Sequence, residues 1–271
     1  MVYSRERLIV FDDVYRRLVA LDAQTGAPQW IAGRQGEGPE EFAAGSAMVP
    51  AAEGGVLLFD PRLFRMSHVG ADGRFRTVVP LASLGSQPNQ GCAYGPGRFL
   101  VADVVRTDLM IVDSLGSVVE EIPLPWPDVA ALPWALRQLM LRGAGESGRC
   151  LVALLTGRGF ALLSPATGTV TAEYIERLEL HGVGSRSEDK DLEYWAFIDG
   201  AFLSDTVVIL PHGPDRSVRF GVLDYYSAAT GAYLMSLRLP FRTNAIAFGE
   251  GLLFVFSTDG TRIIALRARQ Q

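Results

Sequence analysis

Six short apolar runs recur along this chain at a nearly constant interval. They are LIVFD ending at Asp12, VLLFD at Asp60, FLVAD at Asp103, CLVALL at Leu155, VVIL at Leu210 and LLFVF at Phe256, so successive ends lie 43 to 55 positions apart. Each run has strand length, and a repeat of roughly 40 to 50 residues is that of a four-stranded propeller blade. A second run follows each of the first five and closes on a turn glycine: Gly26, Gly73, Gly116, Gly168 and Gly231. Glycine-bearing turns between short runs are hairpin signals. Third runs follow at 75–81, 118–124, 170–175 and 233–239, and small-residue segments such as 91–94 and 244–248 precede the first runs. Small residues suit innermost strands, where blades crowd together.

The pattern predicts an all-β chain. It reads as one six-bladed β-propeller of four-stranded antiparallel blades, a single domain over residues 1–271. A β-sandwich would space strands at about 8 to 12 residues without the longer recurrence. The one helix-like stretch is 127–142, where Val129, Leu132, Leu136, Leu139 and Met140 fit helical spacing and predict a short helix in a connection. Residues 2–4 read as a clipped innermost strand and 262–266 as the third strand of the last blade, which leaves that blade one outer strand short. An open edge exposes unpaired backbone groups. The expectation is that residues upstream of Met1 carry the closing strand, preceded by an export signal.

Composition narrows the class further. With 25 basic and 30 acidic side chains and a net charge of −5, the chain lacks the basic face of a nucleic-acid binder. Lys190 is its one lysine, so its cations are almost all arginine, the residue suited to planar anion contacts. No apolar stretch reaches the roughly 18 to 20 residues of a membrane helix. The residues at the start lack the basic, apolar and small-residue succession of a secretory signal. Cys92 and Cys150 sit in strand-like runs and are expected as buried free thiols, a disulfide requiring those runs to lie side by side. Neither belongs to a zinc-type spacing.

Residues Gly33 to Phe42 read GRQGEGPEEF. This segment resembles the GRxGEGPxEF element between blades of bacterial six-bladed propellers of the NHL/TolB-like group. The blade pattern extends the likeness over almost the whole chain. The resemblance implies an exported or lipid-anchored binding scaffold, periplasmic or extracellular, without implying a substrate. Residues 20–30, ALDAQTGAPQW, are similar to the AxDxxTGxxxW motif of quinone-type propellers, but the later Thr-Gly turns at Gly168 and Gly231 are not followed by the tryptophan the motif needs, Tyr233 and other residues standing there instead. Trp30 is therefore expected to pack between blades, and no cofactor is expected.

In a propeller, the turns joining second to third strands share one face with the connections between blades, and ligands bind there. That placement nominates Asp12, Arg16, Asp60, Arg62, Asp103, Arg106, Arg158, His212, Asp215 and Arg262, with Glu37 in the connecting segment. Asp13 and Asp259 fall in the same turns. Two readings stand: a polar ring for an anionic or hydroxyl-rich ligand, or carboxylates bracing turns through backbone N–H groups. In the connecting segment Phe42 would anchor between blades while Glu37, Glu40 and Glu41 face solvent. Trp126 and Trp134 are candidate partner anchors.

His68, His181 and His212 show no metal spacing, and no Gly-x-Ser-x-Gly elbow is present. The leading expectation is a noncatalytic, monomeric binding scaffold for a small molecule, peptide or protein. The alternative is a metal-dependent hydrolase of the lactonase or gluconolactonase type, with Glu37, Asn89, Asp103 and Asp199 as candidate oxygens for a hard cation.

Overall fold

The computed structural model describes residues 1–51, 53–84, 87–103, 106, 108–126, 139–143, 148–154, 159–166, 168–173, 197–211, 221–259 and 261–267. The fold is an all-β six-bladed propeller built from six antiparallel sheets in chain order. The first sheet is β1 (Val2–Ser4), β2 (Arg7–Asp12), β3 (Arg17–Asp22) and β4 (Pro28–Ala32). The second is β5 (Ala47–Pro50), β6 (Val56–Asp60), β7 (Arg65–Val69) and β8 (Phe75–Pro80), and the third is β9 (Pro88–Ala93), β10 (Arg98–Asp103), β11 (Asp108–Asp113) and β12 (Val118–Pro123). The fourth is β13 (Leu139–Gly143), β14 (Cys150–Leu154), β15 (Gly159–Ser164) and β16 (Gly168–Glu173). The fifth is β17 (Phe197–Leu203), β18 (Thr206–Pro211), β19 (Val222–Ser227) and β20 (Tyr233–Arg238). The sixth has three strands among the described residues: β21 (Thr243–Gly249), β22 (Leu252–Ser257) and β23 (Ile263–Arg267). A 3₁₀ turn at Ala82–Leu84 is the one helical element described.

The chain packs as two compact units, Met1–Ala130 with Leu141–Cys150, and Ala131–Met140 with Leu151–Gln271. In the first unit, both faces of β6 are buried, which is why its sequence is apolar throughout and does not alternate. Val56 and Leu58 join a core with Ile9, Leu18 and Ala20 of the preceding blade and Phe42 of the connection. Phe59, with Leu57 beside it, packs into a second core with Val101, Met110 and Val112 of the following blade. Burying a side chain such as Phe59 contributes about 2 to 3 kcal/mol. The second unit repeats the arrangement, with Val207 and Ile209 of β18 on one core and Val208 and Leu210 on the next. Outer strands carry the opposite pattern: Val118 to Glu121 of β12 are all exposed.

Inner strands approach their neighbours closely. A Cβ added at Gly91 in β9 would fall 2.4 Å from the Phe59 ring. Trp30 fills the equivalent space at the outside of the first blade, its indole N–H donating to Ala71 O at 2.8 Å in the next blade.

Two sequence expectations are corrected. Cys92 and Cys150 are not free thiols but form a disulfide, their Cα atoms 6.1 Å apart. The two strands that carry them, β9 and β14, bring the pair together within the first unit, a proximity that spacing along the chain does not reveal. Leu139 and Met140, read as the end of a helix, lie in β13 and are buried there. Their place against β14 overrides the helical spacing of the apolar residues before them, and 127–138 lie outside the described residues.

Candidate functional site

The strand order fixes which turns share an end of a blade. In the first two sheets the turn between second and third strands lies at the end where the chain passes to the next blade, and the first-to-second and third-to-fourth turns lie at the other. At the first of these ends, the nominated acids brace their own turns. Asp12 Oδ1 accepts the N–H groups of Val14 and Tyr15, both at 3.2 Å, and Oδ2 accepts Arg17 Nε at 3.1 Å. Arg16, in the left-handed region at φ +53°, pairs with Asp13. Asp60 is 1% exposed and accepts four backbone N–H groups. Two, from Arg62 and Leu63, close its turn, and two, from Ala43 and Ala44, tie in the connection from the first blade. Asp103 Oδ1 accepts Arg106 N at 3.4 Å, and Arg106 Nη1 donates to Glu121 Oε1 at 2.7 Å. The Arg62 side chain is exposed.

In the second unit, Asp259 organises the β22–β23 turn. Its Oδ1 accepts Ser257 Oγ at 2.5 Å, Thr261 N at 3.0 Å and Thr261 Oγ1 at 2.7 Å. These donors, with the Arg262 charge nearby, hold its carboxyl at about 2. Arg262 contributes its backbone as well, its N–H donating to Ser257 Oγ at 3.1 Å. Arg158, His212, Asp215 and Trp134 lie outside the described residues; Trp126 is half-buried just after β12.

The GRQGEGPEEF segment is the connection between the first two blades. Phe42 is fully buried and sits between Phe11, at 5.8 Å edge-on, and Phe75, at 5.5 Å between ring centres. Gly33, at φ +82°, admits that ring: a Cβ there would stand 2.2 Å from it. Glu37 and Glu40 face solvent, as the sequence suggests, but Glu41 turns inward. It accepts Arg34 Nε at 2.8 Å and Gly38 N at 2.9 Å, and these bonds lower its carboxyl pKa, the Gly38 N–H most. Arg65, which the sequence reading did not single out, clamps the segment from β7 by donating to the carbonyls of Glu37, Gly38 and Glu41 at 3.2, 2.6 and 2.5 Å.

With the acids turned to the backbone, the turn tips at this end present apolar and aromatic groups. Val14 is 80% exposed and Tyr15 63%, with the Arg17 guanidinium 4.5 Å from the centre of the Tyr15 ring. Phe64, at φ +48°, is also exposed at the β6–β7 turn.

The opposite end of the same unit holds a cavity of about 450 Å³. Leu57, Met66 and Val79 of the second blade and Ala93 and Phe99 of the third supply its apolar wall. Glu53, His68, Arg5 and Thr77 border it as well. His68 Nε2 lies against Glu53 Oε1. No sequence spacing joins these two residues; the β6–β7 register places His68 beside Leu57, one short turn from Glu53. Among the described residues, no three His, Cys, Asp or Glu side chains gather as a metal site. Asp199, one of the candidate cation ligands, accepts the N–H groups of Gly200 and Ile246 at 2.9 Å each.

No family model and no curated protein matches the chain in sequence. Solved structures match its fold. A streptogramin B lyase superposes with a TM-score of 0.59 at 11% identity, covering 100% of this chain and 82% of that one. A catalytically inactive virginiamycin B lyase from Staphylococcus aureus, determined with quinupristin, gives 0.56 at 9% identity over 98% of this chain and 82% of that one. The Pan2 WD40 domain of Neurospora crassa gives 0.55 at 11% identity over 100% of this chain and 78% of that one. At these identities the likeness shows the fold alone.

Proposed function

We propose that the chain is a noncatalytic binding scaffold that takes a peptide or protein partner on the face formed by the second-to-third strand turns of its first two blades. The observation that carries this reading is the division of labour in those turns. Asp12 and Asp60 spend their oxygens on backbone N–H groups, and the rigid tips so made display Val14, Tyr15 and Phe64. Tyrosine stacked under arginine and apolar groups on a fixed backbone are the chemistry of interface anchors. The exposed Arg62 and Glu37 supply a polar rim. The GRQGEGPEEF connection supports membership of the NHL/TolB-like group of bacterial propellers, many of them exported. The Cys92–Cys150 disulfide supports a periplasmic or extracellular setting, since such bonds persist in oxidising compartments.

Selection of displayed peptides against the protein tests the reading, with counter-selection on a Val14→Ser, Tyr15→Ser, Phe64→Ser variant. The expected outcome is a set of peptides that bind the native chain and lose at least about tenfold on the variant, roughly the effect of one interface anchor. Unfolding temperatures of the two proteins should agree. Peptides indifferent to the triple substitution would refute this face. Turnover of a lactone that depends on an added divalent cation would favour the hydrolase reading instead.

A further inference from the structure

We infer that the cavity at the opposite end of the first unit is a small-molecule site for a largely apolar compound bearing a hydrogen-bond donor, an amine or an alcohol. This goes beyond the partner-binding face and does not depend on it.

The cavity is the open end of the core between the second and third blades. Phe59, Met66 and Val79 stand in one cross-strand row and Leu57, His68 and Thr77 in the next, so one blade face runs from buried core to cavity wall without a break. Ala93 and Phe99, themselves a cross-strand pair, face it from the third blade. A volume of about 450 Å³ suits a small organic ligand, and such sites combine apolar walls with a few placed polar groups.

Among the polar groups bordering the cavity, the Glu53 carboxylate is an acceptor. Glu53 Oε1 lies against His68, while Oε2 makes no hydrogen bond among the described residues and sits on a side chain 51% exposed at the rim. An ionised carboxylate accepts and cannot donate, so the ligand must bring the proton. An ammonium gains further from the Phe99 ring and the negative net charge of the chain. Arg5 also borders the cavity, which makes an anionic head group the opposing case to test.

Three probes with one apolar body separate the possibilities: 2-phenylethylamine, 2-phenylethanol and phenylacetate, titrated by calorimetry and by the NMR signals of the His68 ring. The amine is expected to saturate with Kd below about 1 mM, with the alcohol weaker and phenylacetate at least about tenfold weaker than the amine. Glu53→Gln, which keeps the shape and removes the charge, should weaken the amine about tenfold, as loss of a charge-assisted bond does. Thr77→Trp, from an exposed position on β8, should block all three probes while the unfolding temperature stays unchanged. Preference for phenylacetate, equal affinity for all three, indifference to both substitutions, or no saturable binding in the millimolar range would each overturn the inference. None of these outcomes bears on peptides selected at the other face.

Discussion

At the residue scale, several charged side chains among the described residues are bonded to the backbone of the chain itself. Arg65 is the clearest case, since one guanidinium satisfies three carbonyls of the connection between the first two blades. Arg65→Ala should destabilise the fold by about 2 to 3 kcal/mol, the worth of a charged hydrogen-bond donor lost with its acceptors left behind. Arg65→Lys should recover only part, because an ammonium lacks the planar fork. Denaturant unfolding of the three proteins measures this. Asp259 gives a second test. Its folded pKa of about 2 lies below the unfolded value, so its contribution to stability is present above about pH 4 and disappears as pH falls through 2. Ser257→Ala removes its strongest donor, and an NMR titration should find the Asp259 carboxyl moved up toward the ordinary range. Asp22, held low chiefly by the Thr25 N–H, and Asp72, held low by the Arg74 N–H, carry the same sign.

At the element scale, the unit that matters is the braced turn. Gly33→Ala should disturb the connection that Asp60 ties to its turn, because the new Cβ meets the Phe42 ring and the backbone there is left-handed. The expected result is a lower unfolding temperature together with weaker binding of selected peptides, read by calorimetry and titration on one sample. The strands themselves were legible. LIVFD, VLLFD and LLFVF each became a second strand, because burial on two faces writes an unbroken apolar run into the sequence. The sixth sheet likewise shows, among the described residues, the second and third strands that its apolar runs predict. What could not be read was partner choice. Whether Asp60 meets a ligand or the N–H groups of Ala43 and Ala44 depends on contacts 16 and 17 residues apart. The meeting of His68 with Glu53 depends on a turn placing two unremarkable residues side by side. Spacing rules carry neither kind of information.

At the scale of the whole molecule, the decisive bond is the one the sequence did not announce. Cys92 and Cys150 are 58 residues apart, and both are fully buried. On a chain-entropy basis the link stabilises the first unit by about 4 kcal/mol. The Cys92→Ala, Cys150→Ala variant should melt at a lower temperature than the oxidised protein and should no longer respond to a reductant, a comparison calorimetry makes directly. The same bond also gives the polypeptide a stretch of concealed length. Pulled by its two ends, the oxidised chain can yield only the residues outside the loop, because tension crosses from β9 to β14 through sulfur. Those 58 residues amount to about 200 Å of extended chain. A force-extension trace should lengthen by that amount once a thiol reaches the bond, and a unit pulled open in an oxidising compartment would retain that slack as an intact covalent knot of sequence.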